Sequence, residues 1–193
     1  MIELIVLAAA LASDCGAPAR LASGGDYLNP SDRSKLKVVE QFHFNADVEA
    51  LRRGQSGSIG GDIGYTLERF PNHHRALSAM ARLALRDKSP QPRGAAYPVD
   101  CYFLRALSMN ARDAQVRSTY AAYLLAAKRE EEALAQLQAV IEADPENATA
   151  HYNLGLLHFK RKDYDRARSH ADEAYARGFP LEGLKNKLAT VNK

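Results

Sequence analysis

Three arginines with no acidic residue between them are the first candidates for chemistry in this sequence. Arg75, Arg82 and Arg86 are spaced by seven and four residues, so they share one face if the segment is helical. An arginine fork pairs with a carboxylate through two parallel hydrogen bonds. We therefore expect this row to bind a peptide with acidic residues or a free terminal carboxylate, while a solvated helix face with ordinary surface arginines fits the same spacing.

Histidines and cysteines are few in this sequence. His73 and His74 point about 100° apart on a helix, so they are not expected to hold one metal ion together. Asn72 or His73 is expected to begin that helix, and asparagine is the better cap. Cys101 has no visible catalytic partner, and its pairing with Cys15 is an option only in an oxidising compartment.

The sequence contains no recognised catalytic motif, and we expect neither an enzyme nor a bound cofactor or metal. A glycine-rich phosphate loop, a nucleophile elbow, HExxH and CxxC are all missing. His151, His158 and His170 are separated by seven and twelve residues, and His158 is expected to pack as a core aromatic. The alternative is an accessory protein with a metal or small-ligand site. Its candidate residues are His43, His73, His74 and the segment 87–98.

Composition favours helices and excludes several classes of protein. The chain has 193 residues, 46% of them apolar, and its 33 alanines make it suited to close helix packing. A net charge of +3 is too small to predict nucleic-acid binding. Every apolar run is too short to cross a bilayer, so no ordinary membrane-spanning helix is expected.

Two consecutive segments, 114–147 and 148–181, are of equal length and repeat one pattern. Each is predicted to form two amphipathic helices, because apolar residues recur at spacings of three and four. Small residues stand where the two helices of a pair must approach each other. They are Ala121 and Ala133 in one segment and Gly155 and Ala167 at the corresponding places in the other.

This pattern resembles the tetratricopeptide repeat, with a small residue at its eighth position, alanine at its twentieth and proline at its thirty-second. Ala121, Ala133 and Pro145 match all three positions, whereas the second segment matches two and its proline comes one residue late. Both segments depart at the fourth position, where Arg117 and His151 replace a bulky apolar residue. The resemblance implies an all-α protein, an α-solenoid of antiparallel helix pairs closed by a C-terminal capping helix.

The same register predicts how the whole chain is organised. Residues 1–12 are a candidate signal peptide, and residues 13–36 are a linker or extended arm. The array over 37–193 comprises a degenerate repeat (about 40–73), a repeat (74–113) with an insertion at 87–98, repeats at 114–147 and 148–181, and a capping helix at 182–190. Gly57, Gly60, Gly61 and Gly64 are predicted to weaken the second helix of the degenerate repeat.

The resemblance also implies that a partner binds in a concave groove lined by the first helix of each repeat. Carried over position by position, the predicted partner-binding residues are Arg75, Ser78, Arg82 and Arg86 in one repeat, Gln115 and Ser118 in the next, and Thr149, Tyr152, Asn153, Leu156, Phe159 and Lys160 in the last.

The N-terminal sequence favours export of the protein from the cytoplasm. Residues 4–12 are continuously apolar and end in Ala-Leu-Ala, which suits cleavage before Ser13, but no Lys or Arg precedes them. Lipidation of Cys15 is disfavoured because Ala12 and Asp14 do not match the residues that this modification requires. A cell-envelope or periplasmic location is expected, with a cytoplasmic one as the alternative.

Together these features predict a non-enzymatic scaffold for protein–protein interaction. The expected partner is a protein or peptide, with acidic character as an option, in a bacterial cell-envelope assembly or export process. No nucleic acid or membrane span is expected. Self-association into a homo-oligomer is a further alternative, since such arrays can stack end to end.

Overall fold

The computed structural model describes Cys15 and residues 24–191, and these residues form helices and loops with no β-strand. The chain divides into two compact units, residues 1–111 and 112–193. The predicted all-α fold of helix pairs with a C-terminal cap is confirmed. The candidate signal peptide at 1–12 lies outside the described residues. Among the residues described, none of the helices has both the length and the hydropathy that crossing a membrane requires.

Each unit is a series of helices joined by short turns. In the first unit a 3₁₀ turn, Pro30–Asp32, is followed by α1 (Arg33–His43), α2 (Ala46–Glu49), α3 (Ile59–Arg69), α4 (His74–Asp87) and α5 (Val99–Met109). The second unit contains α6 (Ala114–Ala126), α7 (Glu130–Ala143), α8 (Ala148–Lys160), α9 (Tyr164–Ala176) and α10 (Gly183–Thr190). The strongest packing in the second unit is within the pairs α6–α7 and α8–α9.

Equivalent residues begin and end the helices α4, α6 and α8. The side chains of His73, Asp113 and Asn147 cap them by accepting the backbone N–H three residues later, at 3.0–3.1 Å. A lysine in the left-handed conformation follows each of these helices, at Lys88, Lys128 and Lys162. The interval from the start of α4 to the start of α6 is longer than that from α6 to α8, and the extra residues follow α4, where the insertion was predicted.

The preference for Asn72 as the cap of α4 was wrong. The Asn72 side chain is already used, because its oxygen accepts the Tyr27 N–H at 3.0 Å and its amide donates to Asp26 at 2.6 Å. His73 takes the capping role and is fully buried.

The segment predicted to be a linker or extended arm, 13–36, contains regular structure in its last part. The Asn29 side chain accepts the Ser31 N–H, and Pro30 begins the 3₁₀ turn that leads into α1. Upstream of this turn, the Gly25 N–H donates to the Arg69 carbonyl at 3.0 Å. Residues 24–36 therefore belong to the first unit.

The predicted first helix of the degenerate repeat is interrupted. The α1 helix ends at His43, and α2 forms only one turn, capped by the Asn45 side chain. Val48 of α2 is fully buried and anchors this turn in the core of the first unit. Isolated short helices are marginal in water, so α2 depends on its tertiary contacts.

The glycines of α3 let another segment approach the helix. A Cβ atom on Gly60 would lie 2.5 Å from the Arg93 carbonyl oxygen, and one on Gly64 would lie 2.9 Å from the Tyr102 hydroxyl. The segment 88–98 therefore packs its backbone directly on α3. The low helix propensity of these glycines is offset by this contact, which larger residues would prevent.

We expect Gly60→Ala to destabilise the first unit despite its better helix propensity. Overpacking costs about 1–3 kcal/mol, against about 1 kcal/mol gained from propensity, so the expected net loss is roughly 1 kcal/mol. Urea denaturation measures it. Gly57→Ala, in the loop before α3, is the control for adding a methyl group in open space, since a Cβ there meets no atom within 4 Å. Equal midpoints for Gly60→Ala and wild type would contradict the close-packing explanation.

A disulfide joins Cys15 to Cys101 within the first unit, with the two Cα atoms 5.0 Å apart. Cys101 lies on α5, and both cysteines are buried. The bond links residues 86 positions apart in the sequence. The sulfur of Cys15 is therefore not available for lipidation while the bond is formed.

The second unit is closed by α10. Leu184 and Leu188 of this helix pack with Ala167, Ala171 and Ala174 of α9 to form a hydrophobic cluster. The small residues of α9 leave room for the two leucines.

Candidate partner-binding surface

The arginine row lies on the exposed face of α4, but its charges already have partners within the chain. The Arg75 guanidinium is bound by the Glu49 carboxylate, with Nε 2.9 Å from one oxygen, and by Glu40 at 3.2 Å. The Glu49 carbonyl accepts a hydrogen bond from Arg82 at 2.7 Å, and the Leu51 carbonyl accepts one from Arg86 at 2.8 Å. The row therefore binds the end of α2.

Arg75 pairs with a carboxylate of the same chain, whereas Arg82 and Arg86 donate to backbone carbonyls. The hydrogen bond from Arg75 lowers the pKa of Glu49, and Glu49 in turn raises the pKa of Arg75. The last carbonyls of a helix lack partners within it, so Arg82 satisfies a carbonyl that α2 leaves open, and Arg86 satisfies one in the turn that follows. A partner carboxylate would have to compete with these contacts. Partner binding by the arginines stays a prediction, and so does that by Ser78, which lies partly buried on the same helix.

On α8, three predicted groove residues pack towards the C-terminal cap. Tyr152 is only 8% exposed and stacks on Phe179, with ring centroids 4.1 Å apart. Leu156 and Phe159 are partly buried against the cluster that contains Leu184. Tyr152 is therefore poorly placed to meet a partner, because the cap covers it.

Lys160 lies at the end of α8 and is held by the Glu130 carboxylate of α7. The neighbouring Arg161 binds Glu131 at 2.7 Å. These ion pairs connect the two repeats of the second unit. The charge of Lys160, which was predicted to bind a partner, is paired within the chain.

Four predicted residues remain accessible on α6 and α8, and we call them the polar row. They are Gln115, Ser118, Thr149 and Asn153. The Gln115 side chain donates a hydrogen bond to Thr119 of its own helix, at 3.4 Å. Within the part of the chain that the structure describes, the side chains of Ser118, Thr149 and Asn153 have no hydrogen-bond partner. These groups are free to bind an external donor or acceptor.

The structure brings His43, Ser56 and Asp62 together without a catalytic arrangement. The Asp62 carboxylate lies 3.1 Å from Nδ1 of His43, and the Ser56 hydroxyl lies 3.4 Å from the same nitrogen. A relay needs the acid and the nucleophile on opposite ring nitrogens, so this cluster cannot pass a proton from serine to aspartate. Burial opposes ionisation of Asp62, but N–H groups of Gln55 and Ser56 hold its pKa below the usual value.

His73 is also committed to structure. Its Nδ1 accepts the Ala76 N–H at 3.1 Å, so its Nε2 carries the hydrogen and donates to Glu40 at 3.1 Å. Burial lowers the pKa of His73 to about 4. Both ring nitrogens are used, which leaves none for a metal ion. Among the residues described, no group of three or more His, Cys, Asp and Glu side chains is arranged to hold a metal.

The structure also assembles a cluster that sequence reasoning missed. His151 and His158 of α8 meet His170 of α9, and we call these residues the histidine trio. The Nδ1 atoms of His151 and His170 are 3.1 Å apart, and the rings of His158 and His170 stack with centroids 5.5 Å apart. The two helices of a repeat pack along their length, so histidines on both helices can meet. The spacing of these three histidines in the sequence does not show by itself that they do.

The comparisons with known proteins agree with this architecture. Residues 121–181 match the protein family described as the tetratricopeptide repeat. The protein carries tetratricopeptide repeats. The matched residues include the last six residues of α6 and the whole of α7, α8 and α9, so they contain the histidine trio and two members of the polar row, Thr149 and Asn153. No curated protein sequence matches the chain.

Two solved structures share the fold of the tetratricopeptide array. One is described as "MamA RS-1 ArsTM double mutant", with 15% identity, a TM-score of 0.52, and coverage of 77% of this chain and 76% of that chain. The other is described as "Crystal structure of MamA", with 14% identity, a TM-score of 0.51, and coverage of 85% and 91%. At this level of identity the likeness concerns the fold alone.

Proposed function

We propose that this tetratricopeptide protein is a non-enzymatic scaffold that binds an extended segment of a partner protein along the polar row. The observation that carries the proposal is the set of unpaired hydrogen-bonding groups at Ser118, Thr149 and Asn153. An extended peptide presents its main-chain N–H and C=O groups to such side chains. Asn153 is the central residue of the proposal, because its amide both donates and accepts.

The proposed partner is recognised through its backbone rather than through acidic side chains. The arginine row of α4 is engaged by Glu40 and Glu49, and releasing it would disturb α2, whose Val48 is fully buried. We therefore assign Arg75, Arg82 and Arg86 the role of holding α2 in place.

Site-specific photo-crosslinking in the native host tests the proposed surface. A photoreactive residue at position 153 is expected to capture a partner protein, and one at Gln138 is the control, because Gln138 is an exposed amide on α7 outside the polar row. Equal capture from both positions would contradict the proposal. Capture of a second copy of the chain would favour self-association instead, an option that the exposed apolar residues Val38 and Phe42 of α1 support.

A binding measurement follows with the captured partner. We expect Asn153→Ala to weaken the complex by about tenfold, since lost hydrogen bonds contribute about 1 kcal/mol each and a tenfold change is about 1.4 kcal/mol. Gln138→Ala should leave the Kd unchanged. Titration calorimetry with the purified partner provides both values.

We further propose that the protein works in an oxidising compartment such as the cell envelope. Disulfides persist where thiols are not kept reduced, and the Cys15–Cys101 bond supports such a location. The apolar segment at 4–12 supports it independently, as a candidate export signal.

A further inference from the structure

The histidine trio occupies the interface between the two helices of the last repeat. His151 and His158 are 6% and 5% exposed, and His170 is partly buried. The ring centroids of His151 and His170 are 5.3 Å apart. Three imidazoles in one interface form a dense group of sites that can take up protons between neutral and mildly acidic pH.

The hydrogen bonds determine where the protons are in the neutral cluster. Nε2 of His151 lies 3.0 Å from the Pro145 carbonyl, which can only accept, so this nitrogen carries a hydrogen. Nδ1 of neutral His151 is then an acceptor, and Nδ1 of His170 donates to it across 3.1 Å. Protonation of both rings would place two N–H groups against each other, so the folded pair resists a second proton.

The charged groups around the trio do little to favour its protonation. Asp163 lies 3.6 Å from Nδ1 of His158, but Arg161 and Arg166 also face this ring. Glu173 of α9 faces His170 and is bound by Arg177. On the α7 side, Glu130 and Glu131 are paired with Lys160 and Arg161.

Burial lowers the pKa of His158 below its ordinary value, although Asp163 opposes the shift. Burial and the neighbouring His151 and His158 likewise lower the pKa of His170. A histidine with a lowered folded-state pKa stabilises the fold above its ordinary pKa of about 6.5, and this contribution is lost as the pH falls below that value.

We infer that the histidine trio makes the last tetratricopeptide repeat a pH-sensitive element, in which proton uptake below about pH 6.5 separates α8 from α9. Because α8 carries Thr149 and Asn153, opening the repeat would also remove half of the polar row. That consequence rests on the function proposed above, whereas the opening of the repeat does not.

Hydrogen exchange tests the opening directly in the full-length protein. After correction for the intrinsic exchange rate, the opening equilibrium of amides in residues 148–176 is expected to rise about fivefold between pH 6.5 and pH 5.5, for one histidine with an ordinary pKa of about 6.5 that is protonated only in the open state. His158→Phe/His170→Gln is the decisive variant, since the phenyl ring keeps the stack and the amide keeps a donor towards His151. The opening equilibrium of residues 148–176 in this double variant should change little with pH.

The control variant is His73→Asn, which removes a buried histidine from the first unit and should leave the response of residues 148–176 intact. NMR titration of the wild-type histidine rings gives a second readout that does not require the double variant to fold. Midpoints for His158 and His170 at or above pH 6.5 would overturn the inference. So would exchange in α8 and α9 that does not change with pH, or that changes equally in the double variant. Failure of the wild-type protein to bind a partner at pH 7.5 would contradict the proposed function of the polar row. It would leave the inference about the histidine trio unaffected.

Discussion

Reduction of the Cys15–Cys101 disulfide is expected to lower the free energy of unfolding of the first unit by about 2–4 kcal/mol. The bond connects residues 86 positions apart, so it restricts a long stretch of the unfolded chain and removes much of its conformational entropy. Urea denaturation followed by circular dichroism, with and without reductant, measures the difference.

Substitution separates the crosslink from the packing of the two sulfur atoms. Cys15→Ala/Cys101→Ala should resemble the reduced wild type, apart from the small loss of buried contacts at these positions. Reductant should not change the stability of this variant. Identical midpoints for oxidised and reduced wild type would contradict a stabilising role. Maleimide labelling of protein taken from the native host addresses the compartment, since the proposed oxidising location requires both thiols to be blocked.

Acidification is expected to weaken the first unit through His73. The pKa of this side chain is lowered by burial to about 4, against 6.5 in the unfolded chain. Between these values the unfolded state binds a proton that the folded state does not, so the free energy of unfolding falls as the pH falls through this window. The whole contribution amounts to about 3 kcal/mol, because one pKa unit corresponds to about 1.4 kcal/mol.

Two substitutions distinguish titration of His73 from its role as a cap. Asparagine caps helices well and does not titrate, so the stability that His73→Asn loses with the buried ring and its Glu40 hydrogen bond should be largest at pH 7.5 and shrink towards pH 4. His73→Ala should share the altered pH dependence but lose about 1 kcal/mol at every pH with the missing cap. Urea denaturation at a series of pH values gives the difference from wild type. A difference between His73→Asn and wild type that stays constant with pH would contradict this prediction.

The repeats were predictable because their determinants are local. Small residues such as Ala121 and Ala133 recur at fixed positions, and apolar residues recur with the period of a helix. The cap at Asn147 and the turn at Lys162 are also set by residues close in sequence. Such patterns specify where a helix begins, ends and packs without knowledge of the rest of the fold.

The group that pairs with the arginine row was not predictable in the same way. The row of Arg75, Arg82 and Arg86 contains no acid, so the sequence favoured an external carboxylate. In the structure the acid is Glu49, which precedes Arg75 by 26 positions and meets it only because α2 packs beside α4. Helix periodicity predicts which face a side chain is on, but it does not predict what lies opposite that face.

The sequence by itself determined that this protein is an all-α tetratricopeptide array, because helix period, small-residue spacing and capping residues all act within the length of a single repeat. Only the tertiary structure decided that the glycines of α3 admit the segment 88–98, that Cys15 pairs with Cys101, and that three histidines share one interface. The glycine contact and the disulfide join residues that are far apart in sequence, and the histidines meet only because α8 and α9 pack along their length. Packing of whole helices brings such residues together.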